Sequence, residues 1–303
     1  VVSYPGEEHT AEVVARLARA GREVVEIDLA DFPDRAGLAL SWPPALPQTP
    51  SYLVQLPNPN PHQHPHRRVD LGRATVGWWR RVRPFTIDPS ITNPSFRAFA
   101  ESETSQAIGG LLDALPCRAW VNPRQADEAA HRKPLQWAVA LQVGLTLPRT
   151  LVTTEPEAAR DFIQQIGVGK TIFKAFLASI ESWRETRTVE RDDLDRLDLV
   201  RHAPVIFQEY IEGVDLRITV VGDQVFAAEI DARTSRYPYD MRMAIGDAPV
   251  RAITLPSRVQ AMILELQRRL GLVYGAIDMR RTDQGDYVFF EVNPAGQWLF
   301  VEQ

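Results

Sequence analysis

The sequence predicts an α/β protein of the mixed α+β kind, opened by a small N-terminal α/β domain. Three observations carry this. A strand–helix–strand pattern starts the chain, β-rich runs alternate with amphipathic helical stretches from Pro148 onward, and the last 30 or so residues read as a β-hairpin ending in carboxylates. The implied partition is residues 1–121, 122–203 and 204–303.

The first unit pairs Val1-Val2-Ser3 and Glu23-Val-Val-Glu-Ile-Asp28, as strands, with a helix over Thr10–Ala20. Val13, Val14 and Leu17 recur there at helical spacing, and Gly21 fits the stop. No Gly-x-Gly-x-x-Gly loop occurs, which disfavours dinucleotide binding. Ser41–Val69 is rich in proline and holds His62-Gln-His-Pro-His66, so it reads as an irregular surface excursion. Pro65 interrupts the histidines and no Cys or carboxylate stands beside them, so a solvated loop fits better than a metal site. Trp78-Trp-Arg-Arg-Val-Arg-Pro84 alternates bulky and basic residues, either as a strand whose arginines face a groove or as a domain-edge strand.

A helix over about Phe96–Leu115 follows, then one near Asp127–Gly144 broken early by Pro134, with Lys133 at its start. Thr150–Thr154 reads as a strand, Glu155–Ile166 as a helix stopped by Gly167, and Lys170-Thr-Ile-Phe-Lys-Ala175 as a strand ending at a lysine. Val205–Ile211, Asp215–Val221 and Val225–Ile230 are further strands. Pro256 opens the clearest helix, whose Val259, Met262, Ile263, Leu266 and Leu270 share one core-facing stripe.

At 303 residues the chain exceeds what one core usually serves. Its 45% apolar and 24% charged residues are those of an ordinary globular protein, and its net charge of −5 argues against nucleic acid as the main partner. The single cysteine, Cys117, excludes an internal disulfide framework and reads as a buried structural thiol. No apolar run approaches the ~18 residues of a membrane span and no signal peptide opens the chain, so a cytoplasmic protein without a membrane partner is expected. The chain starts at Val1 without a Met and stops at Gln303, so further residues are expected beyond its ends.

The hairpin concentrates the chemistry. Two β-rich runs flank Gln284-Gly285, and a loop of even count centred there would set Asp278 opposite Glu291, about 5 Å apart on one face. Asn293, two residues on, returns to that face; an odd loop would slip the register and separate the carboxylates. Two carboxylates and an amide oxygen form a hard-oxygen set suited to Mg²⁺, which completes its shell with water and substrate phosphates. An ordinary acidic surface hairpin is the competing reading.

Taken together, Lys133, Lys174, Gln208-Glu-Tyr-Ile211, Asp215, Asp278 and Glu291-x-Asn293 resemble the ATP-grasp superfamily of carboxylate ligases over about Asn122–Gln303. The resemblance implies an ATP-grasp fold preceded by a pre-ATP-grasp α/β domain. It implies ATP and Mg²⁺ as cofactors, with Lys133 and Lys174 on the nucleotide phosphates, Gln208, Glu209, Tyr210 and Ile211 around adenine, Asp215 on ribose, and Asp278, Glu291 and Asn293 on Mg²⁺. Arg217 and Arg242 would neutralise the reacting phosphoryl group and the activated intermediate.

More narrowly, Ile27-Asp-Leu-Ala-Asp-Phe-Pro33, Trp79-Arg-Arg81, Asp215-Leu-Arg217 with Val220-Val-Gly222, and Asn293-Pro-Ala-Gly-Gln-Trp298 resemble the ATP-grasp maturases of ribosomal peptides, the microviridin or graspetide ligases. That implies a precursor peptide, leader plus core, whose Asp or Glu side chains are joined to Ser, Thr or Lys; a homodimer is compatible with it. Arg80, Arg81 and Arg83 are candidate walls of a leader groove. Two features depart from the family: Ala175–Glu190 lacks the glycine usual in a phosphate lid, and Asp240-Met-Arg242 stands where Asp-Trp-Arg is expected. A ligase adding free glutamate is the runner-up; an ATP-binding peptide chaperone is disfavoured because every phosphate and metal ligand type is present.

Overall fold

The structure, a computed structural model, describes residues 1–45, 48–58, 65–176, 187–231 and 248–302. They form two units, Val1–Arg124 and Gln125–Gln303.

In the first unit, Glu7 opens α1 (Glu8–Arg19), its carboxylate accepting from the Thr10 backbone N–H at 2.7 Å and hydroxyl at 2.8 Å. This satisfies a donor that the helix start leaves orphaned. The segments expected as flanking strands make only single bridges, Val2 pairing in parallel with Ile27 and with Trp79. The expected irregular excursion is instead a three-stranded antiparallel sheet of β1 (Gly37–Ser41), β2 (Ser51–Pro57) and β3 (His66–Asp70). Pro43, Pro44 and Pro50 fall between strands, while Tyr52, Val54 and Leu56 alternate into the core at the strand period of two. His62 and His64 lie outside the described residues. β4 (Val76–Trp78) pairs in parallel with β5 (Ala119–Val121), and α2 (Pro94–Ala114) contributes Ile108, Leu111 and Leu112 to the core that β2 lines.

Two expectations for this unit are corrected. Arg80 cannot wall a groove, because it is 2% exposed and its guanidinium faces the buried Glu7 carboxylate at 3.4 Å. Arg83 is likewise paired, with Asp28. Cys117 is half-buried rather than buried, and burial pushes its thiol up, which keeps it protonated and unreactive.

α3 (Arg124–Ala130) leads into the second unit and α4 (Lys133–Gln142) follows, the expected early break falling just before Pro134. Pro134 lacks an N–H and is tolerated in a first turn, so the chain restarts the helix there. β6 (Thr150–Thr153) leads into α5 (Pro156–Ile166). β7 (Thr171–Lys174), β8 (Arg187–Thr188) and β9 (Val205–Glu209) join β6 in an antiparallel sheet of order β6-β9-β7-β8. A second antiparallel sheet holds β10 (Val214–Val221), β11 (Gln224–Ile230), β12 (Val250–Ile253), β13 (Tyr274–Arg281) and β14 (Tyr287–Asn293). Its order is β12-β11-β10-β13-β14, so β14 is an edge. α6 (Ser257–Leu270) lays Val259, Ile263, Leu266 and Leu270 against Leu216, Ile218, Ile277 and Phe289 and ends on Gly271 in the left-handed region. Among the described residues no helix is long and apolar enough to cross a membrane.

Candidate active site

β10 and β13 each carry an acid-x-Arg triplet, Asp215-Leu-Arg217 and Asp278-Met-Arg280. Antiparallel pairing sets Asp215 opposite Arg280 and Arg217 opposite Asp278, so two ion pairs of opposite polarity lie side by side on one face. Arg217 donates from Nη1 to Asp278 Oδ1 at 2.6 Å, and from Nε and Nη2 to the Gln297 carbonyl at 3.2 and 2.7 Å. Arg280 donates from Nε and Nη2 to Asp215 Oδ1 at 2.9 and 2.6 Å, and from Nη1 to the Ile211 carbonyl at 2.7 Å. Both guanidiniums are buried, so these bonds gain from a low local dielectric. The Asp215 carboxylate, expected on ribose, is thus engaged by Arg280 in this structure.

The hairpin turn is odd. Five residues, Thr282–Asp286, separate the strands, Gly285 takes φ +88°, and Arg281 stands opposite Tyr287. Continued unchanged, that register would set Glu291 against Ile277, on the core side. A β-bulge prevents this: Met279 faces Phe289, Asp278 faces Glu291, and Phe290 is the extra residue between. The even-loop premise fails, yet the opposed carboxylates form, because the bulge supplies the missing residue. Asn293 faces Ala276 one step further along.

Beyond β14 the chain folds back on this face. Asn293 Oδ1 accepts from the Ala295 N–H at 3.0 Å, and the Gly296 N–H donates to the Asn293 carbonyl at 3.1 Å. The Tyr274 hydroxyl donates to the Gly296 carbonyl at 2.7 Å while its ring meets Trp298 edge-on. Only glycine fits at 296, since a Cβ there would lie 2.3 Å from the Ala276 Cβ.

The lysines reach the site from two elements. Lys133, in the first turn of α4, forms an ion pair with Glu291. Lys174, at the end of β7, donates to Gln208 Oε1 at 3.1 Å, and Gln208 donates onward to the Thr150 hydroxyl at 2.8 Å. At the end of β9, the Glu209 and Tyr210 N–H groups donate to the Arg149 and Lys170 carbonyls, and the Tyr210 ring lies 5.4 Å from the Arg280 guanidinium. Arg280 therefore ties the Tyr210–Ile211 segment to the strand that bears Asp278. Arg242 falls outside the described residues, as do residues 177–186 of the stretch read as a lid.

Three residues here escaped the sequence reading: Arg280, and Gln136 and Trp137 of α4, which donate to the Val292 and Phe290 carbonyls of β14. The repeated Asp-x-Arg triplets could have exposed the first. Gln136 and Trp137 follow Lys133 at i+3 and i+4, the spacing of one helix face.

Hard-oxygen chemistry fits a divalent cation at Asp278, Glu291 and Asn293. Among the described residues there is no cluster of three or more His, Cys, Asp or Glu. The donor set is two carboxylates and an amide, the sparse set that Mg²⁺ completes with water and phosphate oxygens.

A model of the RimK-like ATP-grasp domain matches residues 130–302, more than half the chain and the whole of this site. The chain belongs to the RimK-like ATP-grasp family. Its fold is similar to macrocyclase MdnC from Microcystis aeruginosa MRC, solved with precursor peptide MdnA, at 28% identity and TM-score 0.83 over 99% of this chain and 92% of that one. It is also similar to the ATP-grasp ligase PsnB, solved with a phosphomimetic variant of a minimal precursor, Mg and ADP, at 25% identity and TM-score 0.73 over 99% of this chain and 91% of that one. The ribosomal protein bS6–L-glutamate ligase of Escherichia coli (strain K12 / DH10B) is 28% identical over 183 residues, 57% of this chain. The match spans 58% of the length of that curated relative.

Proposed function

We propose that this ATP-grasp ligase activates Asp or Glu side chains of a ribosomally made precursor peptide as acyl phosphates and joins them to Ser or Thr hydroxyls or Lys amines. The observation that carries the peptide reading is the likeness, along 99% of the chain, to a macrocyclase solved with its precursor peptide. The Asn293-Pro-Ala-Gly-Gln-Trp298 segment, folded against Arg217 and Tyr274, lies within that likeness. Leader and core of the precursor are the proposed partner, and the cytoplasm the proposed location.

A carboxylate is a poor electrophile because its leaving group would be oxide. Transfer of the γ-phosphoryl of ATP to a carboxylate oxygen releases ADP and makes phosphate the leaving group. The acceptor hydroxyl or amine then attacks the acyl carbon, phosphate departs, and the acceptor loses a proton. Phosphoryl transfer of this kind needs alignment and charge neutralisation more than covalent help. Asp278, Glu291 and Asn293 would hold Mg²⁺, which when bound would supply that neutralisation.

This chain's own groups prepare the site. Arg217 fixes Asp278 on the face it shares with Glu291, and Lys133 balances Glu291 while no nucleotide is bound. Incoming phosphates give Lys133 a second anionic partner, which frees Glu291 to ligate metal. Lys174, steered by Gln208, offers its ammonium as a point charge to the same phosphates. Gln208, Glu209, Tyr210 and Ile211 line the adenine subsite. Asp215 shapes the ribose side through Arg280, and Arg242 is assigned to the activated intermediate.

The test is Glu291→Gln or Asn293→Ala. Glu291→Gln takes the charge from a metal ligand and Asn293→Ala removes one, so the barrier to phosphate release should rise by roughly 3–4 kcal/mol, as on loss of a main electrostatic stabiliser, while the fold survives. Full turnover by either purified variant would sink the metal assignment.

A further inference from the structure

We propose that Gln136 and Trp137 are positioning residues for the metal carboxylates, acting through the backbone of β14. The proposal rests on the ligase reading above and extends it to two residues of α4 that touch neither substrate nor metal.

Among the described residues β14 has β13 as its one strand neighbour, and on its other side it makes a single parallel bridge, Val288 with Thr146. The segment from α4 to Thr146 supplies the partners on that side. The Phe289 N–H donates to the Thr146 carbonyl at 2.8 Å. Trp137 Nε1 donates to the carbonyl of Phe290, the bulged residue, at 2.9 Å. The Gln136 amide brackets Val292, accepting from its N–H at 2.9 Å and donating to its carbonyl at 2.8 Å. Gln136 is 2% exposed, and its Nε2 also donates to the Ala130 carbonyl, so the amide has no freedom to turn. Lys133, one turn earlier on the same face, holds the Glu291 side chain between these two anchors.

The anchored residues decide where Glu291 points. A bulge is one extra residue that an edge strand can expel by slipping one step. That slip would carry Glu291 opposite Ile277, which is wholly buried, and away from Asp278. Trp137 pins the residue before Glu291 and Gln136 pins the residue after it, so the slip must break both anchors. The clamp therefore sets metal affinity rather than nucleotide affinity.

Two variants test this in the whole chain. Trp137→Phe keeps an aromatic ring and removes the N–H; Gln136→Glu keeps the acceptor for the Val292 N–H and replaces the donor to the Ala130 and Val292 carbonyls with a carboxylate oxygen, which repels both. Metal binding is read as loss of the free Mn²⁺ paramagnetic signal in the presence of ADP, and affinity for a non-hydrolysable ATP analogue is read by calorimetry without metal. Each variant should weaken Mn²⁺ binding about tenfold, as loss of an outer-shell partner does, with metal-free analogue affinity unchanged and phosphate release recovered at high Mg²⁺. Wild-type Mn²⁺ affinity in a Trp137→Phe protein of lowered melting temperature would make the clamp purely structural and overturn the proposal, even if Gln136→Glu fails to fold. A wild-type protein that binds no Mn²⁺ with ADP would overturn the metal site itself, a failure distinct from that of the clamp.

Discussion

Replacing Arg280 by Met should uncouple the Tyr210–Ile211 segment from the hairpin at a cost that the geometry sets. The Arg280 and Asp215 side chains are 5% and 8% exposed, and Arg280 gives two N–H bonds to the carboxylate and a third to the Ile211 carbonyl. Removing one partner of a buried pair strands the other charge, which costs about 3–5 kcal/mol. Asp215→Leu with Arg280→Met removes both charges, and such apolar replacements of a buried pair come out near neutral. Urea unfolding of the whole chain for both single variants and the double should thus show strong non-additivity, the double lying closer to wild type than Arg280→Met alone. Arg268, 71% exposed and paired with Glu265, serves as the control, and its loss should cost under about 1 kcal/mol. Additive single losses of control size would refute the claim that this pair holds the Tyr210–Ile211 segment to β13.

Other perturbations have definite outcomes. Lys174→Ala should weaken binding of a non-hydrolysable nucleotide by roughly 1.5–3 kcal/mol while peptide affinity holds; equal nucleotide affinity by calorimetry would make the lysine structural. Gly213→Ala should destabilise by about 1–3 kcal/mol, because Gly213 has φ +150° and a Cβ would meet the Arg281 carbonyl oxygen at 2.3 Å; an unchanged urea midpoint would contradict that packing. Acidification should loosen the first unit. Burial pushes the Glu7 carboxyl up, but Arg80 and the Thr10 bonds outweigh it and leave it below 4.5, while burial and then Arg80 hold His9 below 6.5. Both depressed groups take up more protons unfolded, so stability present above those ordinary values is lost as pH falls, first with His9 and then with Glu7. A melting temperature that rises between pH 6.5 and 5 would contradict the sign.

The sequence exposed what local pattern controls. The stripe of Val259, Ile263, Leu266 and Leu270 and the strands from Val214 to Ile230 follow from period and turn signals, whereas the facing of Asp278 and Glu291 forms in spite of the odd turn. The route to that facing was hidden. Loop parity cannot reveal the bulge at Phe290, because a bulge is held by anchors distant in sequence, here Trp137 and Gln136. Proline density masked β1–β3, although Tyr52, Val54 and Leu56 alternate between the prolines. Arg80 looked like a surface cation because its partner, Glu7, is 73 residues away. Charge alone does not tell a groove wall from a buried pair.

The central claim is peptide ligation through an acyl phosphate, and intact-mass measurement tests it most directly. Enzyme, ATP, Mg²⁺ and a precursor peptide rich in Thr, Asp and Glu, encoded beside this gene, would be incubated together. Each ester or amide formed within the peptide should remove the mass of one water and release one ADP and one phosphate, and deletion of the leader should slow the losses. A gain in mass matching added glutamate, or ATP turnover with the peptide mass unchanged, would contradict the account.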